Sequence, residues 1–244
     1  MRIPRSSFLY TTPIAHRGLH DAGAGIPENS YAAFSRAACE GYAIETDVHL
    51  TADGQIAVFH DDDLLRMTGE RGGICGKTFR QLSELRLLGT EERIPLFSEF
   101  LEFIGGKVPL LIEIKPDDSR KELVEKTLAA LKHYKGEFAL QSFDPRCVWQ
   151  IRQSAPEIPR GQLGCFYKKF TPKWYVVKHM TLNPFTRPDF ISYNIEDLPY
   201  PPARRKNALL LCWTVRTQEE YERAKGIADN VIFENIRPPK IQKR

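Results

Sequence analysis

The chain has 244 residues, 42% of them hydrophobic, which suffices for one sizeable core and falls within the length of a single α/β barrel domain spanning residues 1–244. No run of about 18 apolar residues exists to span a bilayer, and the basic opening, residues 1–7, lacks the apolar stretch and small-residue cleavage site of a secretory signal. A net charge of +4 with a pI near 8.7 suits anionic small molecules but excludes the clustered basic stripe of a nucleic-acid binder, since Arg204-Arg205-Lys206 is short and reads as solvated surface.

Taken in chain order, β-like runs alternate with amphipathic stretches, the pattern of parallel sheets built from βαβ crossovers. Strands are predicted at 13–16, 43–49, 56–60, 110–115, 138–141, 160–163, 189–193, 209–214 and 230–234. The stretch 30–40 places Tyr31, Phe34 and Ala38 at helical spacing, with Gly41 as a natural stop. Thr78-x-x-Gln81 and Thr217-x-x-Glu220 are capping boxes opening a short helix ahead of Leu85 and a longer one over 218–225. Residues 120–133 put Leu123, Thr127, Leu128 and Leu131 on one stripe, and Asp144-Pro145 reads as N-cap and first position of a helix toward Ala155. Asn29 or Ser30 caps the 30–40 helix.

Nine strands are one too many for an eight-stranded barrel. Asp53-Gly54 is a tight-turn signal, so 56–60 should fold back as a hairpin extension of the second strand, carrying His60 toward the opening segment. The glycine-containing stretch 61–94 has weak periodicity and reads as a short loop excursion above the barrel mouth. The expected class is therefore α/β, a (β/α)₈ TIM barrel in a single domain with an excursion after the second strand.

Residues two apart on a strand share a face, so Glu45 and Asp47 point the same way, as do Glu113 and Lys115. Three carboxylates and an ammonium then converge near the C-terminal rim, where barrel enzymes place their sites. A hard divalent cation resolves the repulsion among such carboxylates, and oxygen ligands without nearby thiols favour Mg²⁺ or Ca²⁺ over zinc. Taken alone, Glu45-x-Asp47 could be an edge strand with one solvated face, Glu113-x-Lys115 a surface ion pair, and His16 or His60 a satisfied structural histidine. Their joint occurrence at predicted strand ends favours a hydrolytic metal site for phosphate esters. His20, His49, His133 and His179 have no motif partner.

Five cysteines, an odd number without a C-x-x-C pair, argue against both a disulfide framework and a zinc site; reduced, mostly buried thiols in the cytoplasm are expected.

In order, the chain carries His16-Arg17-Gly18, Pro27-Glu28-Asn29-Ser30, Ala33-Phe34, Glu45-Thr46-Asp47-Val48 with Thr51-Ala52-Asp53-Gly54, Val58-Phe59-His60-Asp61, Glu113-Ile114-Lys115, Gln141-Ser142-Phe143-Asp144 and Trp213-Thr214-Val215. This series resembles the glycerophosphodiester phosphodiesterase family over about residues 14–238. The resemblance implies a (β/α)₈ barrel and metal-dependent hydrolysis of a small-molecule glycerophosphodiester to glycerol 3-phosphate and an alcohol. It implies Glu45, Asp47 and Glu113 as metal ligands, His16 and His60 as general acid and base, and Arg17 on the phosphate oxygens. It further places Lys115 by the phosphate, Phe143 and Trp213 as an apolar wall for the glycerol carbons, and Glu28 near the substrate.

The chemistry asks for these residue types. A phosphodiester anion repels nucleophiles and needs cationic screening, while its leaving alkoxide needs a proton. Two histidines can hold opposite protonation states whether water or the glycerol 2-hydroxyl attacks. Three positions depart from the family pattern: Arg216 where asparagine is frequent, Asn230 for a glycine, and Glu234 for an aspartate. These departures bear on substrate preference, and the short excursion suggests an open cleft. A phospholipase C- or D-like lipid phosphodiesterase is an alternative, although the sequence shows no membrane-inserting apolar patch. A non-catalytic phosphodiester-binding barrel would predict loss of a histidine or carboxylate, and all five are present. A sugar-phosphate isomerase or aldolase would want a Schiff-base lysine or a glutamate base without paired histidines.

Overall fold

The computed structural model describes residues 3–166, 171–204 and 208–239. Arg205 and Lys206 of the basic cluster lie outside the described residues. Strands and helices alternate along the chain in the order of a (β/α)₈ barrel, as expected. The strands are β1 (Ile14–Ala15), β2 (Ala43–Leu50), β3 (Ile56–Val58), β4 (Leu110–Ile114), β5 (Phe138–Ser142), β6 (Arg160–Gly164), β7 (Phe190–Asn194), β8 (Leu209–Val215) and β9 (Asn230–Phe233). Two compact units are distinguished: Ala15–Glu137, and Met1–Ile14 with Phe138–Arg244.

In the first unit, β2 is buried along its whole length, as parallel strands covered on both faces are. It pairs parallel with β4 in a register that sets Asp47 beside Glu113. The surplus strand is indeed the hairpin: β3 runs antiparallel to β2, with Val48 opposite Val58 and Leu50 opposite Ile56. Gly54 supplies the left-handed residue at the turn (φ 73°), and its N–H donates to the Thr51 carbonyl at 2.9 Å.

Helix Tyr31–Glu40 starts at Ser30, whose Oγ accepts from the Ala33 N–H, and stops at Gly41 with φ 69°. Asn29 is therefore not the cap. Helix Arg120–Leu131 buries Leu123, Val124, Thr127 and Leu131, so Val124 rather than Leu128 completes the apolar stripe. The helix Phe97–Ile104 was not anticipated. It buries Phe97, Phe100, Leu101 and Ile104 at helical spacing, but Leu96 precedes it without a capping side chain, so its sequence carries no start signal.

The stretch 61–94 is more than a loop. Leu64, Met67, Ile74, Leu82, Leu87 and Ile94 pack with Phe59 into a small core of their own. Its helices, Leu65–Thr68 and Phe79–Leu82, are single turns too short to show periodicity, although the Thr78/Gln81 capping box forms as predicted. The Asp53 carboxylate ties this core to the hairpin by accepting from the Thr51 hydroxyl and the Phe79 N–H.

In the second unit, β5 to β9 pair parallel in sequence order. Asp144 caps helix Pro145–Ser154, and the Thr217/Glu220 box opens helix Gln218–Ile227. Helix Pro172–His179 was also missed, because Trp174, Tyr175, Val176 and Val177 are weak helix formers despite the Thr171-Pro172 start. The Asn230 amide donates to the Phe8 and Thr12 carbonyls at 3.3 and 2.8 Å, fastening helix Phe8–Thr11 to β9. All five cysteines are free, and Cys147, Cys165 and Cys212 are buried. No helix among the described residues is long and apolar enough to cross a membrane.

Candidate active site

The unit Ala15–Glu137 gathers most of the predicted site residues. Glu45 and Asp47 project from one face of β2, and Glu113 from the neighbouring position on β4. All three are buried, and one carboxylate oxygen of each lies within 4.8 Å of the other two. Lys115, one residue beyond β4, is held in the ladder by its N–H to the Val48 carbonyl. Its ammonium sits 3.4 Å from Asp47 Oδ1 and 3.2 Å from Glu113 Oε1.

Three acids share this place with too little positive charge. Burial, reinforced by the Asp47 and Glu113 charges, pushes the Glu45 carboxyl well above the usual carboxylate range. Burial likewise raises Glu113 to about 7, against the pull of Lys115. Burial also works against the Asp47 charge, yet Lys115, His60, Arg17 and the Asn29 amide hold its carboxyl well below that range. A cluster in which one acid is firmly ionised and two are forced toward protonation fits a hard divalent cation, which all three oxygens could then meet as anions.

Arg17 follows His16 directly after β1. Its backbone N–H donates to Glu45 Oε2 at 3.1 Å, so the His16-Arg17 turn is anchored to the acidic cluster. That turn needs left-handed backbone at Arg17 (φ 54°) and Gly18 (φ 78°). At Gly18 the need is doubled, because a Cβ there would stand 2.9 Å from the Ala33 backbone carbon. His16 itself is half-buried beside this turn.

The Arg17 guanidinium donates to Glu28 Oε1 at 2.8 Å and lies 3.8 Å from Asp47 Oδ2. Its Nε, buried without a hydrogen-bond partner among the described residues, is the atom that faces Asp47 at that distance. Asn29, also left-handed (φ 52°), donates to Asp47 Oδ2 at 3.0 Å and accepts from the Thr46 hydroxyl at 2.8 Å. It orients a carboxylate instead of capping a helix.

The hairpin brings His60 to Asp47, whose carbonyl accepts the preceding Phe59 N–H at 3.1 Å. Burial lowers the His60 imidazole below its ordinary value, although the Asp47 charge opposes this. His60 Nδ1 lies 2.6 Å from Asp61 Oδ1, which fixes one ring nitrogen and leaves Nε2 for chemistry. Burial would raise Asp61, but hydrogen bonds from Arg66 and His60 bring it down to about 2, so it stays anionic. Arg66 also reaches Glu28, at 2.6 and 3.0 Å, so Glu28 holds a guanidinium from each side. His60, Lys115 and Arg66, with Asp61, Asp62 and Leu65, line an open cavity of about 590 Å³.

Several of these supports were not legible in the chain. Arg66 and Asn29 carry no motif that separates them from surface or capping residues. His49, left without a part by the sequence, is buried with Nε2 3.2 Å from the His60 carbonyl oxygen and so fixes the backbone of that histidine. Only its place on β2, three residues before the hairpin turn begins to close, hinted at this.

In the other unit, Phe143 and Trp213 meet edge to face with ring centroids 5.7 Å apart. The neighbours Ser142 and Asp144 are structural: Asp144 donates its N–H to Ser142 Oγ and caps the following helix. Two of the departures from the family pattern prove to be each other's partners, since Arg216 Nε donates to Glu234 Oε1.

The comparisons with known proteins bear on family and fold. The family model described as glycerophosphoryl diester phosphodiesterase family matches residues 16–236. A glycerophosphodiester phosphodiesterase of Caldanaerobacter subterraneus subsp. tengcongensis is 31% identical over 245 residues, covering 93% of this chain and 95% of that protein. Among solved structures, an Oleispira antarctica phosphodiesterase in complex with the product sn-glycerol-3-phosphate superposes with a TM-score of 0.76 at 22% identity, covering 91% of each chain. A glycerophosphodiester phosphodiesterase from Thermotoga maritima superposes at 0.70 and 24% identity, covering 91% of this chain and 94% of that one. The two structural likenesses show the barrel fold. With the whole ordered series of motifs matched and the acidic cluster assembled in space, the chain belongs to the glycerophosphoryl diester phosphodiesterase family.

Proposed function

We propose that the protein hydrolyses glycerophosphodiesters to glycerol 3-phosphate and an alcohol, with His16 and His60 as general acid and base. Glu45, Asp47 and Glu113 would hold a divalent cation, Mg²⁺ or Ca²⁺. The observation that carries this reading is the buried trio of carboxylates with ligand atoms within 4.8 Å, flanked by Lys115, Arg17 and His60. When bound, the cation supplies Lewis-acid stabilisation of charge on the phosphoryl oxygens.

The residues of the chain do the rest. Arg17, steadied by Glu28, offers its guanidinium to a non-bridging oxygen. Lys115 adds a second positive charge at the cavity wall. His60, with Nδ1 held by Asp61, takes or gives a proton at Nε2, and His16 performs the complementary transfer. One P–O bond forms to the attacking oxygen, the P–O bond to the alcohol breaks, and the departing alkoxide receives a proton. Phe143 and Trp213 would offer apolar surface to the glycerol carbons, and their edge-to-face contact supports a rigid wall.

Release of glycerol 3-phosphate from a panel of deacylated phospholipids, with and without chelator, tests this. Turnover is expected with Mg²⁺ or Ca²⁺, loss with excess EDTA, and recovery on adding the ion back. Full activity in EDTA contradicts the ion dependence.

A pH effect on stability also follows. With Glu113 raised to about 7, the metal-free folded protein holds a proton that the unfolded chain releases from about pH 4.5 upward. The contribution of Glu113 to stability therefore falls as pH rises through this interval. Cation binding requires the ionised carboxylates, so it offsets that loss. The rise in melting temperature on adding cation should be larger at pH 8 than at pH 5 by scanning calorimetry; an equal rise at both contradicts the assignment.

A further inference from the structure

Arg66 comes from the one-turn helix Leu65–Thr68 at the start of the 61–94 stretch. Its neighbours fix where the side chain begins: Leu64 and Met67 are buried in the small core there, and the Asp63 carboxylate accepts from the Leu65 N–H at 2.8 Å. From this base the guanidinium turns to two acids at once. Nε donates to Asp61 Oδ2 at 2.6 Å and Nη2 to Asp61 Oδ1 at 3.0 Å, while Nη1 donates to Glu28 Oε2 at 3.0 Å and Nη2 to Glu28 Oε1 at 2.6 Å. These bonds form two parallel pairs, a geometry that needs a planar fork and that an ammonium cannot reproduce.

Beyond each acid stands a residue of the proposed chemistry. Asp61 Oδ1 also meets His60 Nδ1 at 2.6 Å, and Glu28 Oε1 also accepts from Arg17 Nη1 at 2.8 Å. A continuous chain of contacts with alternating charge therefore runs from Arg17 through Glu28 and Arg66 to Asp61, and ends on the His60 imidazole. Burial works against the Glu28 charge, yet Arg66 and Arg17 together hold its carboxyl below the usual range. An isolated ion pair as exposed as Arg66 contributes little. Its two partners, however, are only 12% and 22% exposed at Glu28 and Asp61, and each is shared with a site residue.

We propose that Arg66 is a positioning residue for the hydrolysis: it locks the Asp61–His60 pair and the Glu28–Arg17 pair into one frame, so that a single guanidinium sets both the proton-transferring ring and the arginine offered to the phosphate. Arg66 lines the open cavity beside His60, but its fork is filled by the two acids, so it acts through them rather than on the substrate. The role rests on the hydrolysis proposed above. Its two arms have different kinetic signatures. The Asp61 arm orients a group that works in the transition state and bears on kcat, whereas the Glu28 arm orients a group that holds phosphate before and during reaction and bears on KM.

Steady-state release of glycerol 3-phosphate by the full chain, with divalent cation in excess, tests it. Arg66→Met is expected to lower kcat about 10–100-fold, the usual effect of losing a residue that orients a working group, and to raise KM, with far-UV circular dichroism unchanged. Asp61→Asn should chiefly lower kcat and Glu28→Gln should chiefly raise KM, so that Arg66→Met reproduces both. Arg66→Lys keeps the charge without the fork and should recover only part of the loss; should Arg66→Met unfold, this variant and the double one carry the test. With Arg66 present, the combined loss in Glu28→Gln/Asp61→Asn should fall short of the product of the single losses, and with Arg66→Met it should equal that product. Normal kcat and KM in Arg66→Met, full recovery in Arg66→Lys, or multiplying losses while Arg66 is present overturn the proposal. An unaltered chain that releases no glycerol 3-phosphate overturns the hydrolysis itself, and this role with it.

Discussion

Glu45→Gln is expected to lower glycerol 3-phosphate release by about 10²–10³-fold while raising the melting temperature of the metal-free protein. Glutamine keeps the shape of the side chain and an oxygen to accept the Arg17 N–H, so the His16-Arg17 turn stays anchored. What it removes is an acid that burial and two neighbouring carboxylates already force toward protonation. Relieving that repulsion stabilises the empty fold, as replacing strained buried charge often does. The same change deletes one of the three proposed ligands, so the melting temperature should respond far less to added cation. Unchanged activity, or a metal-free variant less stable than the parent, would count against the assignment of Glu45. Opposite movements of stability and activity distinguish a ligand from a merely structural glutamate.

His60→Ala and His16→Ala are each expected to cost about 10²–10⁴-fold in turnover, the usual worth of a positioned general acid or base. Neither residue is a proposed ligand and neither fills the core, so both variants should keep the full cation-induced rise in melting temperature. Because the two groups would serve one transition state, the double variant should be hardly worse than either single one. Multiplying losses in the double variant, or a single variant with near-normal turnover, would refute a shared step.

Much of this arrangement is written in the chain. Strand periodicity placed Glu45 with Asp47 and Glu113 with Lys115, and the register of β2 against β4 then needed no adjustment to bring them together. Asp53-Gly54 announced the hairpin that returns His60. Helices with capping residues at both ends, such as Tyr31–Glu40, were readable for the same local reason. Helix Phe97–Ile104 was not, since burial on one side and no cap leave only apolar residues to read.

The supporting contacts were hidden by their length in sequence. Arg66 meets Glu28 across 38 residues, and His49 meets the His60 carbonyl across 11. No local pattern encodes such pairs. The exchange of Arg216 and Glu234 looked like two separate departures from the family pattern, and only the fold shows one ion pair.

The double grip on Glu28 sets a boundary for diversification. Arg17 and Arg66 neutralise one acid between them, so the stem of the 61–94 stretch is wired to the arginine proposed to meet the phosphate. A graft that replaced this stretch from its first residue would strip Glu28 of half its counter-charge and let Arg17 drift. One that began after Thr68 would keep Arg66 and Asp61 in place and leave the remainder free to be lengthened or recoloured for new headgroups.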